Sequence, residues 1–331
     1  MSNSRPLVQV RTPTYRRPAA LRRALESVMA QSWDNWIVDV YDDDPLRAGE
    51  KICAELADPR IRYHANSPQR FASRNIDSCF SAENPNDADY FCVLEDDNYL
   101  LPDFFADNMR LCREHGVEIV LRNQLIEYQS ATPSAHLSDG GVLDHLFVEG
   151  LYAPEIFRMS LLVGIGVSNG GLFWSRAATS RLEIGFKCTA TMQEYMRTFS
   201  VNELIYLAME PKAVWAENAS QTTRNAELGG GYWRRELDLK RQVQALQRVV
   251  WECASRETRI LFLSGANFAP PAALRARALA KALIGYRPTE LAPAAALESA
   301  LRGIAIRLFG RLAPEFRPFI ESRTAQARTG A

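Results

Sequence analysis

Apolar positions in the first third of the chain come in short unbroken runs, each closed by polar or turn-forming residues, and these runs alternate with stretches of helical spacing. Residues 7–10 form one such run, stopped by Arg11, Thr12 and Pro13, and read as a buried strand that passes into a loop. Pro18 then suits the first position of a helix, where its missing N–H costs nothing. Behind it Leu21, Ala24, Leu25, Val28 and Met29 fall on one stripe at i, i+3, i+4, i+7 and i+8. Runs at 36–41, 62–64, 90–94 and 117–121 predict further strands, with helical stretches at 52–56 and 74–80. Strands apolar on both faces, alternating with amphipathic helices, belong to a mainly parallel sheet covered on both sides, so the first ~120 residues predict a doubly wound, Rossmann-like α/β unit.

After residue 121 the rhythm loosens. A glycine-entered strand is expected at 170–174, and the triple glycine 229–231 precedes a long helix whose stripe is Leu239, Val243, Leu246 and Val250. These shifts divide the chain into an α/β half at 1–122, a second half of the same domain at 123–228, and an α-helical C-terminal region at 229–331. Residues 225–233 read equally as a lid or as a linker into the long helix.

Charge refines this picture. The 331 residues carry 39 basic and 39 acidic side chains, which argues against a nucleic-acid binder relying on a global positive field. The balance is uneven, because 272–331 holds ten Lys or Arg against four Asp or Glu. That basic region could lie peripherally on an anionic membrane surface, dock on the acidic α/β unit, or form a homodimer interface. Packing within the protein is preferred, since prolines keep each helix short. Six scattered cysteines without zinc spacing read as reduced thiols. With no secretory h-region and no apolar run long enough to span a bilayer, the expectation is a cytoplasmic protein, at most peripheral to the inner face of a membrane.

The chemistry gathers where the predicted strands end. Ligands of open α/β sheets bind outside the carboxyl ends of the strands, and there stand Thr12 to Arg16, Asp42 to Asp44, and Glu95-Asp96-Asp97-Asn98. So much negative charge after a wholly apolar strand calls for compensation, and a hard divalent cation, Mn²⁺ or Mg²⁺, bound with a phosphate-bearing ligand supplies it. The plain alternative is a solvated acidic turn before the helix near Pro102.

Five ordered blocks sharpen the choice: 8–18 (VQVRTPTYRRP), 25–32 (LESVMAQS), 40–43 (VYDD), 73–75 (SRN) and 90–98 (YFCVLEDDN). Together they resemble the family 2 glycosyltransferases of GT-A fold. The resemblance implies that Pro13, Thr14, Tyr15 and Asp43, with Asp42 beside it, hold the base of a UDP- or dTDP-sugar. It also implies that Arg74 lines the nucleotide pocket, that Asp96 faces the ribose, and that Asp97 binds the metal bridging the diphosphate. Further on, 168–176 (SNGGLFWSR) resembles the family's acceptor-side strand, implicating Gly170, Gly171 and Trp174. In 193–197 (QEYMR), Glu194 falls on the catalytic base of an inverting transfer to a carbohydrate or small-molecule hydroxyl, as in polysaccharide or metabolite glycosylation. Simple alternatives accompany several of these: Tyr15 as a packed aromatic, Asp42 as a turn cap before Pro45, Arg74 as a surface ion-pair partner, and Glu194 as an exposed helical partner of Arg197 at i+3. Many relatives have a histidine after this helix, where this chain offers Glu217 or Asn218. The rival from another class is a non-catalytic nucleotide-binding or membrane-associated protein that keeps the fold. A sugar nucleotidyltransferase would want a glycine-rich loop after the first strand, which residues 11–15 lack.

Overall fold

The computed structural model describes residues 5–217, 230–284 and 293–329. Its frame is a ten-stranded sheet. On one side β1 (Val8–Thr14), β2 (Trp36–Asp42), β3 (Ile61–Ala65) and β4 (Tyr90–Val93) run parallel in the order β3-β2-β1-β4, linked by α1 (Pro18–Met29), α2 (Ala48–Leu56) and α3 (Phe71–Ser78). Four residues of the expected α1 stripe, Leu21, Ala24, Leu25 and Val28, are fully covered, with Pro18 at the first turn, while Met29 at the helix end is exposed.

Strand β1 does not stop at residue 10. It continues to Thr14, in register with Asp42 of β2. The charge of Arg11 does not break it because both terminal nitrogens of the guanidinium find partners in place: Nη1 donates to the carbonyls of Cys79 at 3.2 Å and Ser81 at 2.6 Å, and Nη2 to that of Glu83.

Past β4 the chain forms β5 (Tyr99–Leu100), α4 (Phe104–His115), β6 (Ile119–Tyr128), β7 (His136–Leu137), β8 (Gly150–Tyr152) and the short α5 (Pro154–Arg158). Then β9 (Leu172–Ser175) enters the sheet between β4 and β6, antiparallel to both. Helix α6 (Ala190–Ser200) starts on Thr189, whose side chain accepts from the Met192 N–H at 3.1 Å and so satisfies one of the free donors of the first turn. The twelve-residue β10 (Ile205–Ala216) lies parallel to β6. Its register shifts between Ala208 and Ala213, around Pro211, which cannot donate to a ladder and is accommodated at such an irregularity.

Helices α7 (Gly230–Cys253), α8 (Arg256–Ser264), α9 (Ala272–Ile284), α10 (Pro293–Phe309) and α11 (Phe316–Thr329) complete the chain. They are not a loose appendage. Val243, Leu246, Val250, Phe262, Phe268, Phe316 and Phe319 belong to the same hydrophobic core as Phe91, Val93, Leu121 and Trp174 of the sheet. Gln247 on α7 donates to the Leu161 carbonyl at 2.9 Å, and buried Arg323 on α11 to that of Glu183 at 2.8 Å. The other face of the sheet packs a second core with α1 and α4. No helix of the described residues is long and apolar enough to cross a membrane.

Candidate active site

The parallel strands deliver their carboxyl ends to one rim. Because Leu94 N–H donates to the Arg11 carbonyl, the chain leaves β4 beside the still-running β1, and Asp96 comes under the Thr14-Tyr15 turn. Asp96 Oδ2 accepts from Thr14 Oγ1 at 2.8 Å and from the Tyr15 N–H at 3.2 Å. Arg17 closes the group: its Nη1 donates to Asp96 Oδ1 at 3.1 Å and to Asp97 Oδ2 at 2.6 Å. Burial and the adjacent Asp97 push the Asp96 carboxyl up to about 6, while Arg17 and the Thr14 and Tyr15 donors pull the other way.

The second acidic cluster is largely occupied in holding the backbone. Asp42 is 1% exposed; its oxygens accept from the Asp44 N–H at 2.9 Å, the Gly49 N–H at 3.0 Å and the Tyr63 hydroxyl at 3.0 Å. In these contacts Asp42 is the turn fastener of the plain alternative, its carboxylate buried. Asp43 accepts from the Arg70 and Phe71 N–H groups at 2.7 Å each, so it anchors the first turn of α3 to the end of β2. Arg74 stands exposed on that helix, and Tyr15 is 40% exposed above Asp96.

Across the site α6 and the turn Asn169–Gly171 carry a second constellation. Fully buried Arg197 donates to Asp77 Oδ1 at 2.8 Å and to Asn169 Oδ1 at 2.9 Å, with Phe80 stacked 3.7 Å from its guanidinium carbon. Asn169 in turn donates from Nδ2 to Glu95 Oε1 at 3.3 Å, and its backbone N–H donates to the Glu194 carboxylate. One asparagine therefore touches both glutamates. Burial and the charges of Asp97 and Asp96 raise Glu95 to about 7; burial and Glu95 raise Glu194 to about 8, against the pull of Arg197 and the Asn169 N–H. Glu194 is thus a half-buried carboxyl poised near neutrality, and the exposed i+3 pairing with Arg197 is not what is found.

Glu95, Asn98, Asn169 and Glu194 form one end of a cavity of about 800 Å³. Its walls include Ile126, Leu143, Ile165, Tyr195 and Trp215, and its far side is Glu236, Leu239 and Lys240 of α7 with Arg302 of α10. Gly170 lines it; Gly171 and Trp174 do not. A Cβ on Gly171 would stand 2.2 Å from the Arg122 carbonyl oxygen, so this glycine serves the approach of two backbones. Trp174 is 7% exposed and stacks on Phe80 and Phe91 at centroid distances of 5.5 and 5.8 Å. Trp174, expected on the acceptor side, packs in the core on one face of the sheet, as Phe173 does on the other. Asn218 and the segment 218–229, with most of the lid expected at 225–233, lie outside the described residues. Arg17, Asp77 and the bridging role of Asn169 were not anticipated, because each acts through a partner more than 25 residues away in sequence.

Among the described residues no three Cys, His, Asp or Glu side chains converge as a metal cage. The all-oxygen donors at 95–97, where burial and then the neighbouring charge of Asp97 raise Glu95 and Asp96, nonetheless suit a hard cation that a diphosphate helps to ligate.

A mostly parallel sheet whose strand ends carry an acidic rim, with Glu95 of that rim and Glu194 lining one cavity, has the architecture of the GT-A fold. Residues 10–159, a little under half of the chain, match the model of glycosyl transferase family 2. Solved structures of S. aureus TarS (residues 1–349) share the fold. The complex with UDP-GlcNAc aligns at TM-score 0.54 and 12% identity, covering 97% of this chain and 81% of that one. The form crystallised without that ligand gives TM-score 0.53 at 12% identity over 98% and 92% of the two chains, and the UDP complex 0.50 at 13% over 97% and 87%. No curated protein matches significantly by sequence.

Proposed function

We propose that the protein transfers a sugar from a UDP- or dTDP-sugar to an acceptor hydroxyl with inversion, in a metal-dependent reaction, and that residues 272–331 make its contact with a membrane surface or with a second copy of itself. The observation that carries the transfer reading is the carboxyl of Glu194, raised to about 8 and lining the 800 Å³ cavity together with Glu95 of the acidic rim. In its ionised form such a carboxylate is a stronger base than a free glutamate, and it takes the proton that an attacking hydroxyl must lose. TarS, which shares the fold, is crystallised with UDP-GlcNAc and with UDP, and this supports a uridine nucleotide as donor.

In this reading the Thr14-Tyr15 turn, held by Asp96, carries the ribose and base, with the exposed Arg74 and the Asp43-anchored start of α3 across from it. Arg17 keeps Asp96 and Asp97 from repelling one another apart in the resting protein. A divalent cation, Mn²⁺ or Mg²⁺, held by Asp97 would supply neutralisation of the leaving diphosphate. The acceptor hydroxyl, in the cavity, donates to Glu194; as its oxygen bonds the anomeric carbon, the carbon–diphosphate bond breaks and the proton passes to Glu194. Asn169 fixes the carboxylate through its N–H, and Arg197 fixes Asn169.

Calorimetric titration of the wild type and Asp97→Ala with UDP, dTDP and GDP, each with and without Mn²⁺, tests the donor side. Mn²⁺-dependent binding of a pyrimidine nucleotide, lost in the variant, is expected. Absence of nucleotide binding under every condition would overturn the reading in favour of a non-catalytic binding protein.

A further inference from the structure

Helix α10 is apolar on two opposite faces. One face packs inward: Ile306 is buried, and the Gly303 carbonyl accepts from Gln244 of α7 at 3.1 Å. The opposite face carries Leu297, Leu301, Ile304 and Leu308, spaced by four, three and four residues so that they form one stripe. They are exposed by 64, 59, 52 and 71%. Isolated exposed leucines need no explanation, but a continuous stripe of them marks an interaction surface.

The charges beside the stripe decide its occupant. Arg307 is exposed on α10 and Arg317 on α11; both press on the half-buried Arg241 of α7, whose guanidinium is lowered by burial and then by these two neighbours. Among the described residues no carboxylate pairs with Arg307 or Arg317. Helix α10 carries Arg302 and Arg307 against the single carboxylate of Glu298, so a second copy docked through this face would set two net-positive helices together. An anionic bilayer takes the leucines into its interfacial layer and meets the arginines with opposite charge. We infer that the Leu297–Leu301–Ile304–Leu308 face of α10 docks on an anionic lipid surface.

The position of the acceptor cavity gives this docking a purpose. Arg302, next to Leu301 in the chain, lines that cavity together with Lys240. The docking face and one wall of the cavity thus share helix α10, and the acceptor this arrangement favours is a hydroxyl borne on a lipid-anchored molecule. This last step rests on the transferase reading; the docking does not.

The test is co-sedimentation with vesicles of phosphatidylcholine alone and of phosphatidylcholine mixed with phosphatidylglycerol, at low and high salt. The wild type is expected to pellet with the mixed vesicles only, less at high salt. Leu301→Glu/Leu308→Glu should weaken this at least roughly tenfold, and Arg307→Gln/Arg317→Gln should flatten the salt dependence. UDP titration with Mn²⁺ should be unchanged in both double variants, which shows that they fold. Wild type that stays in the supernatant, or a leucine variant that pellets as well, overturns the docking. Light scattering that finds a dimer abolished by the leucine substitutions overturns it in favour of a second copy. Vesicle binding without any UDP binding leaves the surface standing and removes the lipid-borne acceptor.

Discussion

Arg197 donates to Asn169 Oδ1 at 2.9 Å, and this single contact orients the whole amide. A guanidinium has donors only, so the amide oxygen must face it and the NH₂ must face Glu95. Asn169→Ala should lower kcat by about tenfold to a hundredfold, with nucleotide affinity unchanged and a shifted pH profile, because the groups around the base lose their fixed geometry. Steady-state kinetics alongside UDP titration separates the two; weakened nucleotide binding at unchanged kcat would put Asn169 on the donor side instead.

The pH dependence follows from Glu194. With its carboxyl raised to about 8 by burial and Glu95, and lowered in part by Arg197, the base is mostly protonated below that value. The rate at saturating donor should rise with pH through about 8, and Glu194→Gln should cost roughly a hundred to ten thousand fold. A flat profile from acid to alkaline pH in the wild type would remove the role.

The same group makes a stability prediction of opposite sense. A carboxyl whose folded pKa lies above its unfolded one stabilises the fold below the unfolded value and loses that contribution as pH rises through the folded value. Glu194→Gln, neutral throughout, should therefore gain Tm relative to the wild type as pH goes from about 5 to about 9. Thermal melts of the pair across that range check it.

Asp77 is the sole carboxylate shown pairing with buried Arg197 among the described residues, and it also accepts from the Ile184 and Gly185 N–H groups at 2.9 and 2.8 Å. Asp77→Ala leaves a buried charge uncompensated and should cost about 3–5 kcal/mol in urea unfolding. A loss below 1 kcal/mol, on the order of an exposed pair, would mean that water reaches Arg197.

The two adjacent glycines should separate fold from function. Gly171→Ala drives a methyl into the Arg122 carbonyl and should destabilise by about 1–3 kcal/mol or more, because backbone cannot step aside. Gly170→Ala meets only the Gln124 side-chain nitrogen at 2.8 Å and should leave stability closer to wild type while narrowing the cavity it lines. Melting temperature and acceptor KM give the two readouts.

Much of this was legible in the letters for identifiable reasons. The first strands are unbroken apolar runs, and Leu21, Leu25 and Val28 sit where the stripe of α1 requires. The rim residues Thr14, Asp96 and Asp97 follow from strand ends and from the family resemblance. Strand β10 escaped because Glu210, Pro211 and Lys212 interrupt its apolar run, and only tertiary pairing with β6 shows that they mark an irregularity inside one strand. Arg11 looked like a strand terminator because the three carbonyls that accept from it lie some 70 residues downstream. Trp174 misled because a glycine-entered aromatic strand has the same letters whether its tryptophan faces ligand or core.

The insertion of β9 between β4 and β6 bears on how the chain can be cut and how it folds. Cys92 pairs with Phe173, and Val120 with the same Phe173 from the other side, so the middle of the sheet waits for a segment made some 50 to 80 residues later. A fragment ending near residue 122 would expose β4 and β6 as long apolar edges ready to pair with neighbours, and should aggregate rather than stand as a donor-binding module. During synthesis the nascent first half faces the same exposure until residues 172–175 arrive, which makes late sheet closure, more than helix docking, the step at which this protein is vulnerable.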